Sequence, residues 1–256
     1  MFFMLVNMKR EKVKKNLIIL FSLVLVFAVI LVLFSQGVIW FNNPSLKQYP
    51  VRGVDVSAHQ GKIDWQAIAA QDIYFAFIKA TEGSSFIDDQ FQDNWENARS
   101  AGIIVGAYHF FSYESPGKSQ AENFINTVPH EEYALPPVVD IEFYGSFEKQ
   151  PMEPEEARLI LDELLETLYE YYHVKPIIYA TMKSYELYLA DFYEEYPIWI
   201  RNVYTKPVLS DGREWVFWQD SHKGRLNGYS GKEKFIDLNV FNGSKEYFNE
   251  RFCLEQ

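Results

Sequence analysis

Residues 136–143 read PPVVDIEF, an apolar, strand-like run in which two carboxylates, Asp140 and Glu142, stand one residue apart. Charged side chains are rarely buried without a structural or functional reason. Because side chains two apart in a strand point to the same side, Asp140 and Glu142 share one face with Val138, and the alternate residues of the run are all apolar. The apolar face suits a layer beneath helices, so the pattern predicts that the carboxylates face the axis of a barrel at its C-terminal mouth.

Strand-like and helical runs alternate on both sides of this stretch. The eight predicted strands cover residues 51–57, 74–81, 103–111, 136–143, 175–180, 196–203, 214–220 and 234–241. The five predicted helices cover residues 64–71, 88–102, 118–128, 154–173 and 182–193. The fourth helix is the clearest, because its apolar residues form one stripe at helical spacing with acidic residues on the opposite side.

This order of elements predicts an α/β fold, a modified TIM-type β/α barrel of eight strands with about five flanking helices. Helices follow the first five strands, whereas the last three strands have short connections, which predicts a mostly antiparallel section at the end of the barrel. A doubly wound open sheet gives a similar alternation and is the alternative. We expect the barrel to occupy residues 51–250.

The N-terminal segment has a different composition. Residues 17–34 carry no charge and one polar residue, Ser22, and are just long enough to span a bilayer as a helix. Lys and Arg residues cluster before this run, so the positive-inside tendency predicts a cytoplasmic segment 1–16, a transmembrane anchor 17–35 and a linker 36–50 that leads to an exported domain. A cleaved signal peptide is the alternative, although the apolar run is longer than a usual signal core and no clear small-residue cleavage site follows it.

The charge balance and the cysteine content limit the function classes. Residues 51–256 carry 18 Lys and Arg against 34 Asp and Glu, a formal charge of −16, and so acidic a domain is not expected to bind nucleic acid. Cys253 is the only cysteine, which excludes an intramolecular disulfide, so an exported domain must be stable by its core alone. We assign this thiol no chemistry.

Further polar residues stand at the ends of other predicted strands. Asp55 lies in the first strand, His109 in the third and Asp237 in the eighth. Asp55 could instead cap a helix and His109 could be a hydrogen-bonded core residue, but Asp237 has no local cap to satisfy. Aromatic faces together with carboxylates and amides suit a carbohydrate cleft. The candidate sugar-binding residues, each with a packing interpretation beside it, are Tyr108, Tyr179, Trp218 and Gln219.

Two carboxylates in a partly dry barrel mouth suit glycoside cleavage, which needs one acid to protonate the leaving oxygen and one carboxylate to stabilise positive charge at the sugar. We expect burial and the like charge to keep Glu142 protonated and Asp140 ionised. Asp-x-Glu alone would equally fit a metal site or a solvated strand end. The sequence shows no metal-ligand His spacing, no Gly-x-Ser-x-Gly elbow and no glycine-rich phosphate loop, so we expect no metal or organic cofactor.

Seven blocks of the sequence, in order, resemble the glycoside hydrolase family 25 lysozymes, which are N-acetylmuramidases with a β/α barrel. The blocks are GVDVSAHQGKIDW, FAFIKATEGSSFID, NWENARSAGIIVGAYHFF, PPVVDIEF, PIIYA, WVFWQ and IDLNVFNG. The resemblance implies that Glu142 is the general acid and Asp140 its partner carboxylate. It places two further acids, Asp55 and Asp237, in the cleft, where they bind the sugar or tune the pair. The cleft-lining positions that it implies are His109, Tyr108 and Trp218.

The resemblance implies hydrolysis of the β-1,4 bond between N-acetylmuramic acid and N-acetylglucosamine in peptidoglycan. From the basic N-terminal segment we expect the domain to act outside the cytoplasm, and we expect it to be a monomer. An N-acetylglucosaminidase is the nearest enzymatic alternative, and a membrane-tethered glycan-binding module is the alternative from another class. The acids favour an enzyme, because binding alone does not require carboxylates that share a proton. Retention through a covalent aspartyl sugar and retention through the substrate's own N-acetyl group both stay open.

Overall fold

The structure is a computed structural model that describes residues 2–252, with side chains from Met8 onward. Cys253, to which the sequence assigns no chemistry, lies outside the described residues. By its internal contacts the chain divides into two compact units, and the division falls after Trp40.

The N-terminal unit contains one long helix, α1 (Phe2–Ser35), which begins well before the predicted anchor 17–35. It extends back because the Met, Lys, Arg and Glu residues before the apolar run are good helix formers. The part Met8–Ser35 is long and apolar enough to cross a membrane, with a mean hydropathy of 3.5 in its apolar stretch and no burial there. A signal sequence meets the same criteria, so the boundaries 1–16, 17–35 and 36–50 stay predictions.

The second unit is a closed barrel, as the sequence predicts. Its eight strands are β1 (Arg52–Val56), β2 (Phe75–Glu82), β4 (Ile104–Phe110), β5 (Val138–Ile141), β6 (Ile177–Thr181), β7 (Ile198–Arg201), β8 (Phe217–Gly224) and β9 (Ile236–Phe241). They follow the order β1-β9-β8-β7-β6-β5-β4-β2, and the pairing of β1 with β2 closes the ring. A short strand that periodicity does not predict, β3 (Phe86–Ile87), folds back antiparallel on the end of β2.

The antiparallel section is smaller than the sequence predicts. Among the eight described barrel strands, β7 and β8 run parallel, as do the earlier neighbouring pairs, and only β9 is antiparallel to its barrel neighbours β8 and β1. A parallel connection needs about a dozen residues or more to return to the other end of the barrel. Residues 202–216 provide that length without a helix, whereas the shorter segment 225–235 joins β8 to β9 at one end.

Helices surround the barrel. They are α2 (Trp65–Ala69), α3 (Phe91–Ser100), α4 (Gly117–Thr127), α5 (Pro154–Tyr172), α6 (Met182–Ser184) and α7 (Lys245–Arg251). The predicted helix 182–193 ends early, because α6 passes into a π-helical turn at Tyr185–Leu189 and the chain then becomes extended at Ala190. Periodicity does not predict α7, which Ser244 caps by accepting a hydrogen bond from the Tyr247 amide.

Alternation along the strands separates an inner core from an outer one. Val138 packs inside the barrel, and Asp140 follows it on the same side. Val139 and Ile141 pack in the outer core, between the strands and the helices. The faces predicted for residues 138–142 are therefore the observed ones, and the carboxylates turn inward because the apolar alternate residues cover the outside. Phe143, predicted on the outer face, lies beyond the end of β5 and also lines the cleft.

Aromatic rings fill the barrel below the mouth. Phe77 stacks on Trp199 with 4.4 Å between ring centroids. Phe248 of α7 closes the opposite end of the barrel. The rings that Phe248 contacts there are Phe75, Phe217 and Phe241. With its lower part filled, the barrel is open only at the carboxylate end.

The segment before β1 packs on the barrel. Asn42 Nδ2 donates hydrogen bonds to the carbonyl oxygens of Asn202, at 2.9 Å, and Asp220, at 3.0 Å. Tyr49 is buried in the outer core. Part of the predicted linker 36–50 is thus fixed to the domain that follows it.

Gly117, the first residue of α4, provides a test of helix packing. A Cβ at this position would clash with the Ile160 carbonyl oxygen and stand 2.8 Å from the Leu164 nitrogen, and both atoms belong to the α5 backbone. We expect Gly117→Ala to lower the free energy of unfolding by about 1–3 kcal/mol, as overpacking does, although alanine is the better helix former. Thermal melting should show a drop of several degrees that exposed Lys118→Ala does not share. An unchanged melting temperature would refute the close packing.

Candidate active site

Four carboxylates meet at the C-terminal mouth of the barrel. Asp55 lies on β1, Asp140 on β5, and Glu142 one residue beyond the end of β5. Asp237 lies near the start of β9 and is paired with Asp55 across the two strands. Because β9 runs antiparallel, its start is at the same end of the barrel as the ends of the other strands. All four acids line one cleft of about 520 Å³.

Asp55 is held in place by two side-chain amides. Its Oδ2 accepts hydrogen bonds from Gln219 Nε2 at 2.9 Å and from Asn239 Nδ2 at 2.7 Å. An aromatic residue orients each amide, since Tyr179 OH donates to Gln219 Oε1 and Trp199 Nε1 donates to Asn239 Oδ1. The carboxylate is therefore fixed by a buried network, which suits a group that must keep one orientation toward a ligand.

Asp140 and Glu142 have different surroundings. Asp140 is 8% exposed and, within the described chain, its Oδ1 has no hydrogen-bond partner, whereas Glu142 is partly exposed. Their backbone is fixed, because the Phe111 amide donates to the Asp140 carbonyl at 2.9 Å and the Tyr113 hydroxyl donates to the Glu142 carbonyl at 3.3 Å. A buried acceptor without a partner is rare in folded proteins, and beside a cleft it indicates a position that meets a ligand.

Burial raises the pKa of all four carboxyl groups. The charge of Glu142 adds to burial at Asp140, and the charge of Asp55 adds to it at Asp237, so both pKa values lie well above the usual range. Burial also raises the pKa of Glu142 and, against its hydrogen bonds, that of Asp55. Asp140 is the more buried of the pair, so burial opposes the ionised state that the sequence predicts for it, while the charges of Lys79 and Arg201 favour that state. The cleft thus holds carboxyl protons where free side chains would be ionised, as general acid catalysis requires.

Three of the five residues predicted to line the cleft or bind the sugar, namely Tyr108, Tyr179 and Gln219, line this cleft. For the other two, His109 and Trp218, the assignment to the cleft is wrong. Each lies directly beside an inward-facing residue of its strand, and neighbouring strand residues point to opposite faces. His109 is fully buried beneath α4, and Trp218 packs in the outer core. Strand alternation gives the observed side for both, whereas the family resemblance alone does not.

Sequence reasoning missed three polar residues that meet the acids, namely Lys79, Arg201 and Asn239. Lys79 and Arg201 line the cleft, and their positive charges lower the pKa of both Asp140 and Glu142, opposing the effect of burial. Asn239 is the donor to Asp55. Each of the three stands two residues from an inward-facing residue of its strand, so alternation could have found them.

The grouping of these acids does not match a metal centre. Among the residues that the structure describes, no set of three or more His, Cys, Asp or Glu side chains is arranged to hold a metal ion. The acids are suited to proton transfer and to stabilising positive charge, and glycoside cleavage uses both. The expectation that no cofactor takes part stays a prediction.

The substitution Asp55→Asn tests whether burial in the cleft raises the pKa of this carboxyl group. Because burial raises its pKa, the ionised form costs folding free energy once the pH rises above the ordinary Asp value of about 4, and the full cost is present above the folded pKa. An asparagine keeps the shape and can accept the same two hydrogen bonds. We expect Asp55→Asn to melt a few degrees above wild type at about pH 8 and at the wild-type temperature near pH 3. A lower melting temperature at the higher pH would contradict this.

Comparison with known proteins shows which family this chain resembles. A family model described as "Glycosyl hydrolases family 25" matches residues 54–229, which contain Asp55, Asp140 and Glu142. The solved structure of a family 25 glycosyl hydrolase from Bacillus anthracis is 48% identical, and the match covers 83% of this chain and 97% of that one with a TM-score of 0.78. The solved bacterial lysozyme from Streptomyces coelicolor is 32% identical, and the match covers 80% of this chain and 96% of that one with a TM-score of 0.68. Lysozyme M1 of Streptomyces globisporus is 34% identical over 205 residues, 76% of this chain and 68% of that protein.

Proposed function

The chain belongs to glycosyl hydrolase family 25 and is a glycoside hydrolase of the lysozyme type, and from that premise we propose that its barrel cleaves the β-1,4 bond between N-acetylmuramic acid and N-acetylglucosamine in peptidoglycan. One observation carries the proposal: four carboxyl groups with raised pKa values line a single cleft at the barrel mouth. A barrel mouth of this kind is where such enzymes hold their substrates.

Glu142 acts as the general acid. It donates a proton to the glycosidic oxygen as the bond to the leaving N-acetylglucosamine breaks, and as a carboxylate it then takes a proton from the attacking water. Its partial exposure supports this role, because the acid must reach an oxygen that arrives from solvent with the substrate. Its backbone carbonyl accepts a hydrogen bond from Tyr113, which keeps the point where the side chain starts in place through both steps.

Asp140 stabilises the positive charge that develops at the anomeric carbon, either by bonding to it or by orienting the substrate's N-acetyl group. The buried Oδ1 without a partner supports this role, because the sugar then supplies the contact that the protein does not. Asp55 binds sugar hydroxyls from its amide network, and the neighbouring charge of Asp237 tunes the pair. The side chains that contact the sugar beside them are Tyr108, Tyr179 and Gln219.

Product analysis tests which bond is cut. Purified residues 41–256 would digest peptidoglycan, and the fragments would be reduced with borohydride and analysed by mass spectrometry. A muramidase leaves reduced muramic acid at the new chain end, which is the expected result. Reduced glucosamine at that end would instead identify an N-acetylglucosaminidase. Retention of glycan on a column of the domain, with no new chain ends, would identify a binding module.

We also propose that α1 anchors the protein, with the barrel outside the cytoplasm, where peptidoglycan lies. The apolar helix at Met8–Ser35 and the basic residues before its apolar run support this. Membrane fractionation followed by N-terminal sequencing tests it. Full-length protein in the membrane is expected, whereas a soluble form that begins near residue 36 would show that the helix is a cleaved signal.

A further inference from the structure

His109 lies behind the cleft in a buried chain of side-chain hydrogen bonds. The Thr81 hydroxyl oxygen is 2.7 Å from His109 Nδ1, and Gln120 Oε1 is 3.0 Å from His109 Nε2. Each of the three side chains is 0% exposed. The chain joins β2, β4 and α4, and none of its members lines the cleft. Three fully buried polar groups in a row are costly unless every one is satisfied, so each contact matters.

The direction of every hydrogen bond in this chain is determined by Gln120. Its Nε2 donates to the carbonyl oxygens of Ser112, at 2.9 Å, and Ser115, at 2.8 Å, so its Oε1 must be the acceptor, and this oxygen accepts from the Ser112 amide at 2.7 Å. His109 Nε2 must therefore carry the proton that it donates to Oε1. Burial lowers the pKa of His109 to about 4, so the ring is neutral at ordinary pH and Nδ1 accepts from the Thr81 hydroxyl.

One end of the chain reaches the backbone that carries the two central acids. Gln120 holds Ser112 by both its amide and its carbonyl, and Ser112 lies in the loop 111–115 after β4. The same loop supplies the Phe111 amide that binds the Asp140 carbonyl and the Tyr113 hydroxyl that binds the Glu142 carbonyl. The loop is thus held from behind by Gln120 and in front by the strand end that bears the acids.

The other end reaches a cleft residue. Thr81 lies directly after a register shift in β2, between Lys79 and Thr81, where the regular ladder with β4 is interrupted. Lys79 points into the cleft, and its charge lowers the pKa of Asp140 and of Glu142. The bond from Thr81 to His109 joins β2 and β4 directly after this shift, and so fixes the strand end that carries Lys79.

We infer that Thr81, His109 and Gln120 act as a positioning chain, which holds the loop 111–115 and the end of β2 so that Asp140 and Glu142 keep their places in the cleft. The three residues touch no substrate, so they act only through the groups they hold. The inference rests on the proposed function, because it assigns to these residues an effect on the proposed reaction.

Gln120→Met tests the positioning chain, because it keeps the length of the side chain and removes all its hydrogen bonds. We expect kcat on peptidoglycan strands to fall about 10- to 100-fold with KM within about threefold, as for small displacements of catalytic groups. As water reaches Glu142, its pKa falls, so the alkaline limb of the pH–rate profile moves to lower pH. The matched control is Asn94→Leu, which removes a buried hydrogen bond of 3.1 Å to Trp65 between α2 and α3. It should lower the melting temperature similarly and leave kcat and the pH profile unchanged.

Thr81→Val provides a milder second variant that keeps the side-chain shape and removes one hydroxyl, and we expect a loss of about 3- to 10-fold in kcat. If Gln120→Met does not fold, the kcat of Thr81→Val tests the positioning chain in its place. Two results would overturn the positioning chain alone. The folded variants could keep the wild-type kcat and pH profile, or they could lose no more kcat than Asn94→Leu does. Absence of turnover by the wild-type domain would overturn the proposed function and the positioning chain with it.

Discussion

Glu142→Gln is expected to fold like wild type, to bind peptidoglycan strands and to lose about a thousandfold or more in turnover. Glutamine keeps the size of the side chain and has no carboxyl proton to donate to the leaving oxygen. It also cannot become the carboxylate that activates water in the second step, so both halves of the reaction slow. The rate of new reducing ends measures turnover, while thermal melting and retention of glycan on a column measure folding and binding.

Glu148→Gln is the matched control for this substitution. Glu148 is exposed and lies in the turn that follows Glu142, and its charge is one of the smaller influences that raise the Glu142 pKa. Its removal should change turnover by less than about threefold, since an exposed charge is well screened. A Glu142→Gln protein that kept a tenth of the wild-type turnover would contradict the assignment of Glu142 as the general acid.

Asp140→Asn is expected to lose about a hundredfold in turnover, somewhat less than Glu142→Gln, because it removes charge stabilisation at the anomeric carbon and leaves the proton donor in place. The melting temperature shows whether this loss of turnover comes from unfolding. Burial and the Glu142 charge raise the Asp140 pKa, so replacing the carboxyl group should raise the melting temperature at about pH 8 and have no effect below about pH 4. Kinetics and melting curves on the same sample separate the two effects. Nearly wild-type turnover would show that Asp140 is only a strand-end charge.

The inward direction of Asp140 could be predicted from residues 136–143 alone. An apolar alternate set fixes which face lies under the helices, and this constraint is local to one strand. The number and order of the runs predicted a barrel, but an open doubly wound sheet gives a similar alternation, so closure through the pairing of β1 with β2 needed the structure. The direction of β8 was harder to predict, since it depends on the path of residues 202–216, which carry no regular period.

The amide network around Asp55 could not be predicted in the same way. Gln219 and Asn239 lie 164 and 184 residues further along the chain, and only closure of the barrel brings them to the same oxygen. His109 shows the opposite case. Its side of the strand follows from alternation, but its partners Thr81 and Gln120 come from another strand and a helix, so its place behind the cleft needed the structure.

A substrate that needs no proton donor tests most directly whether Glu142 supplies the proton. In a muramoyl glycan with a dinitrophenyl leaving group, the bond breaks without protonation of the leaving oxygen. The measurement is kcat/KM for wild type, Glu142→Gln and Asp140→Asn on this substrate and on a natural strand. We expect Glu142→Gln to recover to within about tenfold of wild type on the activated substrate and to stay about a thousandfold lower on the natural strand, while Asp140→Asn is impaired on both. Equal losses of Glu142→Gln on the two substrates, or recovery by Asp140→Asn instead, would contradict the assignment.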